Sequence, residues 1–303
     1  VNLKVNIAGV ELENPVITAS GTFGFGFEYG NFYDLNKIGG VCVKGLTLKP
    51  RQGNPPIRIA ETPSGILNSV GLQNPGVEYY INHELPRLKA TGTKAIANIS
   101  GNTIEEYCKM AEIVSASDTD LIEMNISCPN VKQGGVAFGT DPKTVGEITK
   151  AVKKNCLKPL IVKLSPNVTD ITETAKAAEA AGADALSLIN TITGMVIDIH
   201  TKRPVLHNNI GGLSGPAVKP VAVRMVWQVA NSVKIPIIGM GGISSGADAI
   251  EFILAGASAI AVGTYNFVDP YACIKVLDGI TEYCEKYNIA DVNELVGGAI
   301  MNG

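Results

Sequence analysis

Eight short apolar runs recur along the chain, and their spacing is the tightest constraint on its fold: VITA (16–19), GVCVKG (40–45), AIANIS (95–100), LIEMNIS (121–127), LIVKLS (160–165), ALSLIN (185–190), IPIIGMGG (235–242) and AIAVG (259–263). Runs this short and this apolar suit strands buried on both faces, as in a parallel sheet covered by helices. Between many of them lie longer segments, 104–115, 144–155, 171–181, 217–232, 246–255 and 270–286, whose apolar residues fall at helical spacing. Eight strands with such crossovers predict an α/β chain folded as a (β/α)8 TIM barrel, one domain over residues 1–303. A faint repeat agrees. AAGADALSL from Ala180 and LAGASAIAV from Leu254 share a helix end, a glycine suited to a left-handed cap, and small residues leading into a strand.

Two connections exceed a simple crossover, Leu46 to Lys94 and Thr191 to Lys234. Both leave strand ends, so both are expected as long loops over the C-terminal mouth, where sites in this fold are built. The composition has room for a large core, with 46% hydrophobic and 17% charged residues in 303, and 33 glycines imply many tight turns. A net charge of -3, without a basic run, argues against a nucleic-acid partner and leaves a small molecule as the expected one. No apolar stretch reaches bilayer length, and the opening VNLKVNIAGVELENP lacks the order of a signal peptide, so no membrane contact and a cytoplasmic location are expected.

Among six cysteines only Cys128, in NISCPN, stands at a strand end among polar residues and before a proline. A thiol so placed can act chemically, with neutral asparagines to orient a substrate. Cys42 lies in an apolar run, while Cys108, Cys156, Cys273 and Cys284 fall in or at the ends of helix-like segments, where a cysteine is usually a small hydrophobe. Neither the cysteines nor His83, His200 and His207 show metal-ligand spacing, so no metal is expected, and cytosolic thiols are expected to stay reduced.

Polar residues or glycines close every run: Ser20, Lys44, Asn98, Asn125, Lys163, Asn190, Gly241 with Gly242, and Gly263 with Thr264. So many on one rim favour a polar ligand, because each is costly to dehydrate without a partner. The glycines and hydroxyl after the last two strands offer backbone N–H groups to a phosphate. Lys163 has two readings, a Schiff-base nucleophile or a fixed charge beside a cofactor ring, and Lys44 shares them.

The motifs NPVITASGTFGFGFEY, VCVKGLTLKPRQGNPPIRIAE, NSVGLQNPG, NISCPNVKQGG, LIVKLSPNV, NTITGM, GGLSGP, GMGGI and AVGTYNF span nearly the whole chain. With them the chain resembles the catalytic subunit of the class 1B dihydroorotate dehydrogenases, flavin enzymes of pyrimidine synthesis. The class 1A branch is less similar, and so is class 2, whose serine base and N-terminal membrane extension are not matched here.

The resemblance implies one FMN per chain, bound by Ser20, Lys44, Gly45, Asn98, Asn125, Lys163, Ile189, Gly215, Gly241, Gly242, Gly263 and Thr264. It implies substrate contacts from Lys44, Asn68, Ser69, Val70, Gly71, Leu72, Asn125, Asn190 and Thr191, and Cys128 as the base that takes the C5 proton of dihydroorotate while hydride leaves C6 for the flavin. It further implies a homodimer within a heterotetramer, whose partner subunit carries FAD and a [2Fe–2S] cluster and passes electrons to NAD+. The readings that compete with it are a Schiff-base aldolase or another phosphate-binding barrel, a noncatalytic barrel serving as a binding or scaffold subunit, and a related pyrimidine-reducing flavin enzyme.

Overall fold

A computed structural model describes residues 1–126 and 138–302 of the chain. Its centre is a closed parallel barrel of strands β1 (Val16–Thr18), β2 (Gly40–Cys42), β3 (Ala95–Ile99), β4 (Leu121–Asn125), β5 (Leu160–Lys163), β6 (Ala185–Leu188), β7 (Ile237–Met240) and β8 (Ala259–Val262). Each pairs with the next in sequence, and β8 returns to β1 through Ile260 opposite Val16. The eight apolar runs are therefore the eight barrel strands. Nearly every residue in them is buried, because one face fills the barrel and the other meets helices.

Among the described residues, these helices surround the barrel: α1 (Val77–Tyr79, running on through a π-helical stretch, Tyr80–Glu84, into Leu85–Ala90), α2 (Ile104–Ser115), α3 (Pro142–Lys153), α4 (Ile171–Ala180), α5 (Lys219–Ala230), α6 (Gly246–Ala255) and α7 (Ala272–Lys286). Local chemistry starts several of them. Thr103, Asp141, Asp170 and Ser245 cap α2, α3, α4 and α6 by accepting from backbone N–H groups of the first turn. The repeated joint ends as expected, with Gly256 in the left-handed region after α6 (φ +119°) and Gly182 likewise after α4 (φ +101°). Between β1 and β2 the chain makes only two single 3-10 turns, Tyr29–Asn31 and Leu35–Lys37, so the first unit has no α-helix. Within its long connection α1 does not stand out in the sequence, because its π-helical middle and Pro86 interrupt the helical spacing of apolar residues.

A hairpin, Val5–Ile7 with Val10–Leu12, precedes β1 and so lies at the N-terminal end of the barrel. At the opposite end the two long connections meet. Ile59–Thr62 and Gly65–Asn68 from one, and Ile192–Gly194 and Gly211–Ser214 from the other, form a four-stranded antiparallel sheet. Its central pairing sets Asn68 opposite Gly212 and Leu67 opposite Leu213. Both connections leave the C-terminal ends of barrel strands, so this sheet stands over the mouth as the sequence led us to expect, although their pairing is a tertiary event.

Candidate active site at the barrel mouth

Barrel register decides which side chains meet inside. Asn98 of β3 lies opposite Glu123 of β4, and Lys163 of β5 lies between Asn125 of β4 and Ser187 of β6. The Glu123 carboxylate gathers them. Its Oε1 accepts from Asn98 Nδ2 at 2.7 Å and lies 3.8 Å from Lys163 Nζ, while its Oε2 accepts from Ser187 Oγ at 2.7 Å. The Cys42 thiol reaches Oε1 at 3.4 Å. On its other side, Lys163 Nζ donates to Ser20 Oγ at 3.4 Å, so five barrel strands and the end of β1 converge on one polar layer. Glu123 is 2% exposed and Lys163 5% exposed, so neither charge is met mainly by water. Sequence reasoning did not single out Glu123. Its signal was there: one acid inside the otherwise apolar LIEM run, which a fully buried strand tolerates only with partners.

Asn98 is fully buried, and its Oδ1 has no hydrogen-bond partner among the described residues. A Cβ on Gly45 would stand 3.0 Å from that oxygen and 3.1 Å from Leu72 Cδ2. Three of the expected residues, Gly45, Leu72 and Asn98, thus share one small space. A Cβ on Gly21, the residue after Ser20, would lie 3.9 Å from Lys44 Nζ, which brings the second lysine to the β1 side of the mouth.

The asparagines expected to hold substrate also come together. Asn190 Nδ2 donates to Asn125 Oδ1 at 3.2 Å, and Asn190 Oδ1 accepts from the Thr191 backbone N–H at 2.8 Å. Tyr107 of α2 donates its hydroxyl to the Asn125 carbonyl at 2.6 Å, fixing the end of β4. Residues 68–72 form a held strand end. Asn54 donates to the Ser69 carbonyl at 2.8 Å and its backbone N–H to the Val70 carbonyl at 2.9 Å, while Asn68 Nδ2 lies 3.5 Å from the Gly212 carbonyl. A side chain at Gly71 would strike Asn54, and Ser69 Oγ is buried without a partner among the described residues.

Across the mouth, β7 and β8 end in backbone. Gly241 and Gly242 have φ of +124° and +81°, and Gly215 has +104°. A Cβ on Gly242 would come 2.7 Å from the Gly215 carbonyl oxygen, and one on Gly241 would come 3.1 Å from Ile189 Cγ1, so only glycine fits either place. Thr264 donates to Ser214 Oγ at 2.8 Å, and Gly263 abuts Ala19. Behind this loop Lys219 Nζ donates to Asp248 Oδ1 at 2.7 Å and to Glu251 Oε1 at 2.6 Å, while Asp248 Oδ2 accepts from both the backbone N–H and the hydroxyl of Ser244. Burial pushes the Asp248 carboxyl up, but the bonds from Lys219, Ser244 and Ser245 outweigh it and hold the group below the usual aspartate range. Its bonds to Asp248 and Glu251 raise Lys219 above an ordinary lysine.

Cys42, Cys108, Cys156, Cys273 and Cys284 form no disulfide, and burial pushes every one of these thiols up, Cys273 to about 12. At Cys42 the Glu123 carboxylate adds to the effect of burial. These five are thus poor sources of thiolate. Cys128 lies outside the described residues. No group of three or more potential metal ligands occurs among the described residues, and no helix among them is long and apolar enough to cross a membrane.

Comparison with known proteins adds two findings. The family model described as dihydroorotate dehydrogenase matches residues 2–284. Similar curated proteins named dihydroorotate dehydrogenase B (NAD(+)), catalytic subunit, occur in Alkaliphilus metalliredigens, 63% identical over 297 residues, and in Bacteroides fragilis, 59% identical over 297 residues, each alignment covering 98% of both chains. One in Thermoanaerobacter sp. is 58% identical over 296 residues, again with 98% of both chains covered.

Proposed function

Because this chain belongs to the dihydroorotate dehydrogenase family, we propose that it oxidises (S)-dihydroorotate to orotate in pyrimidine synthesis, as the FMN-bearing subunit of an NAD+-linked enzyme. Residues 1–303 would act as one FMN-binding barrel. The observation that carries the reading is the pairing, on one mouth, of a buried cation and an amide oxygen unmet among the described residues with a glycine cradle. The cation is Lys163, the oxygen is Asn98 Oδ1, and the cradle is Gly215, Gly241 and Gly242. A flat ring that gains negative charge on reduction suits the first pair, and a phosphate suits backbone N–H groups unobstructed by a Cβ.

FMN, when bound, supplies the acceptor for the hydride leaving C6 of the substrate. The chain's own residues would do the rest. Lys44 would offset the substrate carboxylate, while Asn68, Asn125, Asn190 and Thr191 orient the pyrimidine ring without competing for its proton. Residues Ser69, Val70, Gly71 and Leu72 would close the substrate's other side. Ser20, Gly45 and Ile189 would line the ring, and Gly263 with Thr264 would complete the phosphate cradle. Cys128 would take the C5 proton, since a thiol of reference pKa ~8.5 is a better base near neutrality than a hydroxyl. The aldolase alternative has less support, because Lys163 sits between a carboxylate and a hydroxyl, surroundings suited to a standing charge rather than a neutral nucleophilic amine.

Electrons would leave through a second subunit carrying FAD and a [2Fe–2S] cluster, around a homodimer of this chain in a cytoplasmic heterotetramer. The chain has no GxGxxG dinucleotide fingerprint and no cluster-forming cysteine spacing of its own. The test compares dihydroorotate-dependent NAD+ reduction by the isolated chain and by the chain co-purified with that subunit. Flavin should bleach in both and NAD+ be reduced only in the second. Robust NAD+ reduction by the isolated chain would refute the partner requirement, and a protein without bound flavin would refute the reading as a whole.

A further inference from the structure

We propose that Glu123 is a positioning residue for the cofactor, acting through Asn98 and Lys163; the inference rests on the FMN reading above. A carboxylate in the middle of a barrel strand is an expensive way to fill space, and apolar side chains of similar volume would pack the same layer. Its partners explain why it is there. A carboxylate only accepts hydrogen bonds, so Asn98 must turn its NH2 toward Glu123, as the 2.7 Å bond records. The amide oxygen is then forced to the opposite side. It lies there buried, without a partner among the described residues, against the Gly45 backbone. Left to itself an asparagine presents either end of its amide; beside Glu123 it can present only an acceptor. A ligand edge that meets Asn98 must therefore bring an N–H, as the imide edge of an isoalloxazine does.

The same oxygen of Glu123 faces Lys163 Nζ at 3.8 Å, and Ser20 holds that ammonium from the other side at 3.4 Å. Glu123 thus sets two properties of the ring site at once: which end of Asn98 is offered, and how much of the Lys163 charge is left for the ring. Its other oxygen, tied to Ser187, and the Cys42 thiol keep the carboxylate from turning.

Glu123→Gln separates these effects. Glutamine can still accept from Asn98, and its NH2 can donate to Ser187 Oγ, so the hydrogen bonds survive while the negative charge goes. FMN should still bind, but the ratio of affinities for reduced over oxidised FMN should rise about tenfold, an upward shift of about 30 mV for a two-electron couple. Flavin fluorescence on titrating apoprotein and a redox titration of the holoprotein give the two quantities. General loosening of the barrel would weaken both redox forms alike and leave the ratio unmoved. A ratio unchanged or lowered in the Gln variant overturns the inference.

Should that variant not fold, Glu123→Asp keeps the charge but withdraws it by one methylene from Asn98. It should weaken FMN binding about tenfold, the order of one lost charge-assisted hydrogen bond, with the ratio near parental. Parental affinity in the Asp variant likewise overturns the inference. A parental protein that bound no FMN would sink the functional reading and this inference together, whereas a parental protein that binds FMN beside a Gln variant with the same ratio sinks this inference alone.

Discussion

The β2–β6 side of the mouth carries its chemistry on side chains tied to one buried carboxylate, whereas the β7–β8 side carries it on bare backbone. On the first side Cys42, Asn98, Lys163 and Ser187 all reach Glu123, so each position is set by its neighbours. On the second, Gly241 and Gly242 leave room that a single methyl group would close. The two designs should fail differently. A side-chain network degrades by steps as one partner is lost, so its failures should be graded and should touch chemistry and selectivity as well as occupancy. A backbone cradle works only where no Cβ intrudes, so its failures should appear first as lost cofactor.

The largest effect that would break this contrast is expected at Cys128. Cys128→Ala should slow flavin reduction by dihydroorotate by ~10² to 10⁴, the usual contribution of a positioned base, while cofactor content barely changes. Stopped-flow bleaching of the flavin band measures it, and near-parental bleaching would remove Cys128 from the base role. Next comes Gly242→Ala. Its Cβ would meet the Gly215 carbonyl oxygen at 2.7 Å with φ at +81°. Strain of about 1–3 kcal/mol should then weaken FMN binding by roughly 10- to 100-fold. An alanine variant purified with full flavin content would erase the distinction between the two sides.

A smaller loss sharpens the first side. Lys44→Met keeps much of the apolar stem and removes the charge, so orotate should bind roughly tenfold more weakly, with FMN retained. Titrating orotate against the flavin spectrum decides this, and loss of FMN instead would mean that Lys44 mainly holds the cofactor. The smallest effect lies behind the cradle. Asp248→Asn should cost about 1 kcal/mol of stability near neutral pH, read from urea midpoints. Because the folded protein holds this carboxyl below its unfolded value of ~3.9, its contribution is fully present above that value. It is lost as pH falls through the lower folded value. The gap between parent and variant should therefore close in acid, and a gap that widened there would contradict the assignment.

Much of the architecture could be read from the sequence because strand and helix signals are local. The eight runs are the eight barrel strands, and the segments 104–115 and 246–255 match α2 and α6 end to end. The helix α1 was not legible, since its middle is a π-helical stretch, Tyr80–Glu84, that departs from 3.6-residue spacing and buries a glutamate. At the site, the strand-end rule found Ser20, Asn98, Asn125, Lys163 and Asn190, which the structure joins in two hydrogen-bonded groups. It missed Glu123 because the rule looks at where strands end, and Glu123 lies inside one.

The order of the strands and of the helices from α2 on, the glycines after β7 and β8, and the one cysteine among polar neighbours were determined by the sequence itself, since each depends on residues adjacent in the chain. What tertiary structure decided was who meets whom. Closure of the barrel brings five strands to one carboxylate, and the antiparallel sheet pairs Asn68 with Gly212, residues 144 apart. Periodicity carries no record of such meetings, because strand stagger and ring closure set them only once all eight strands are in place.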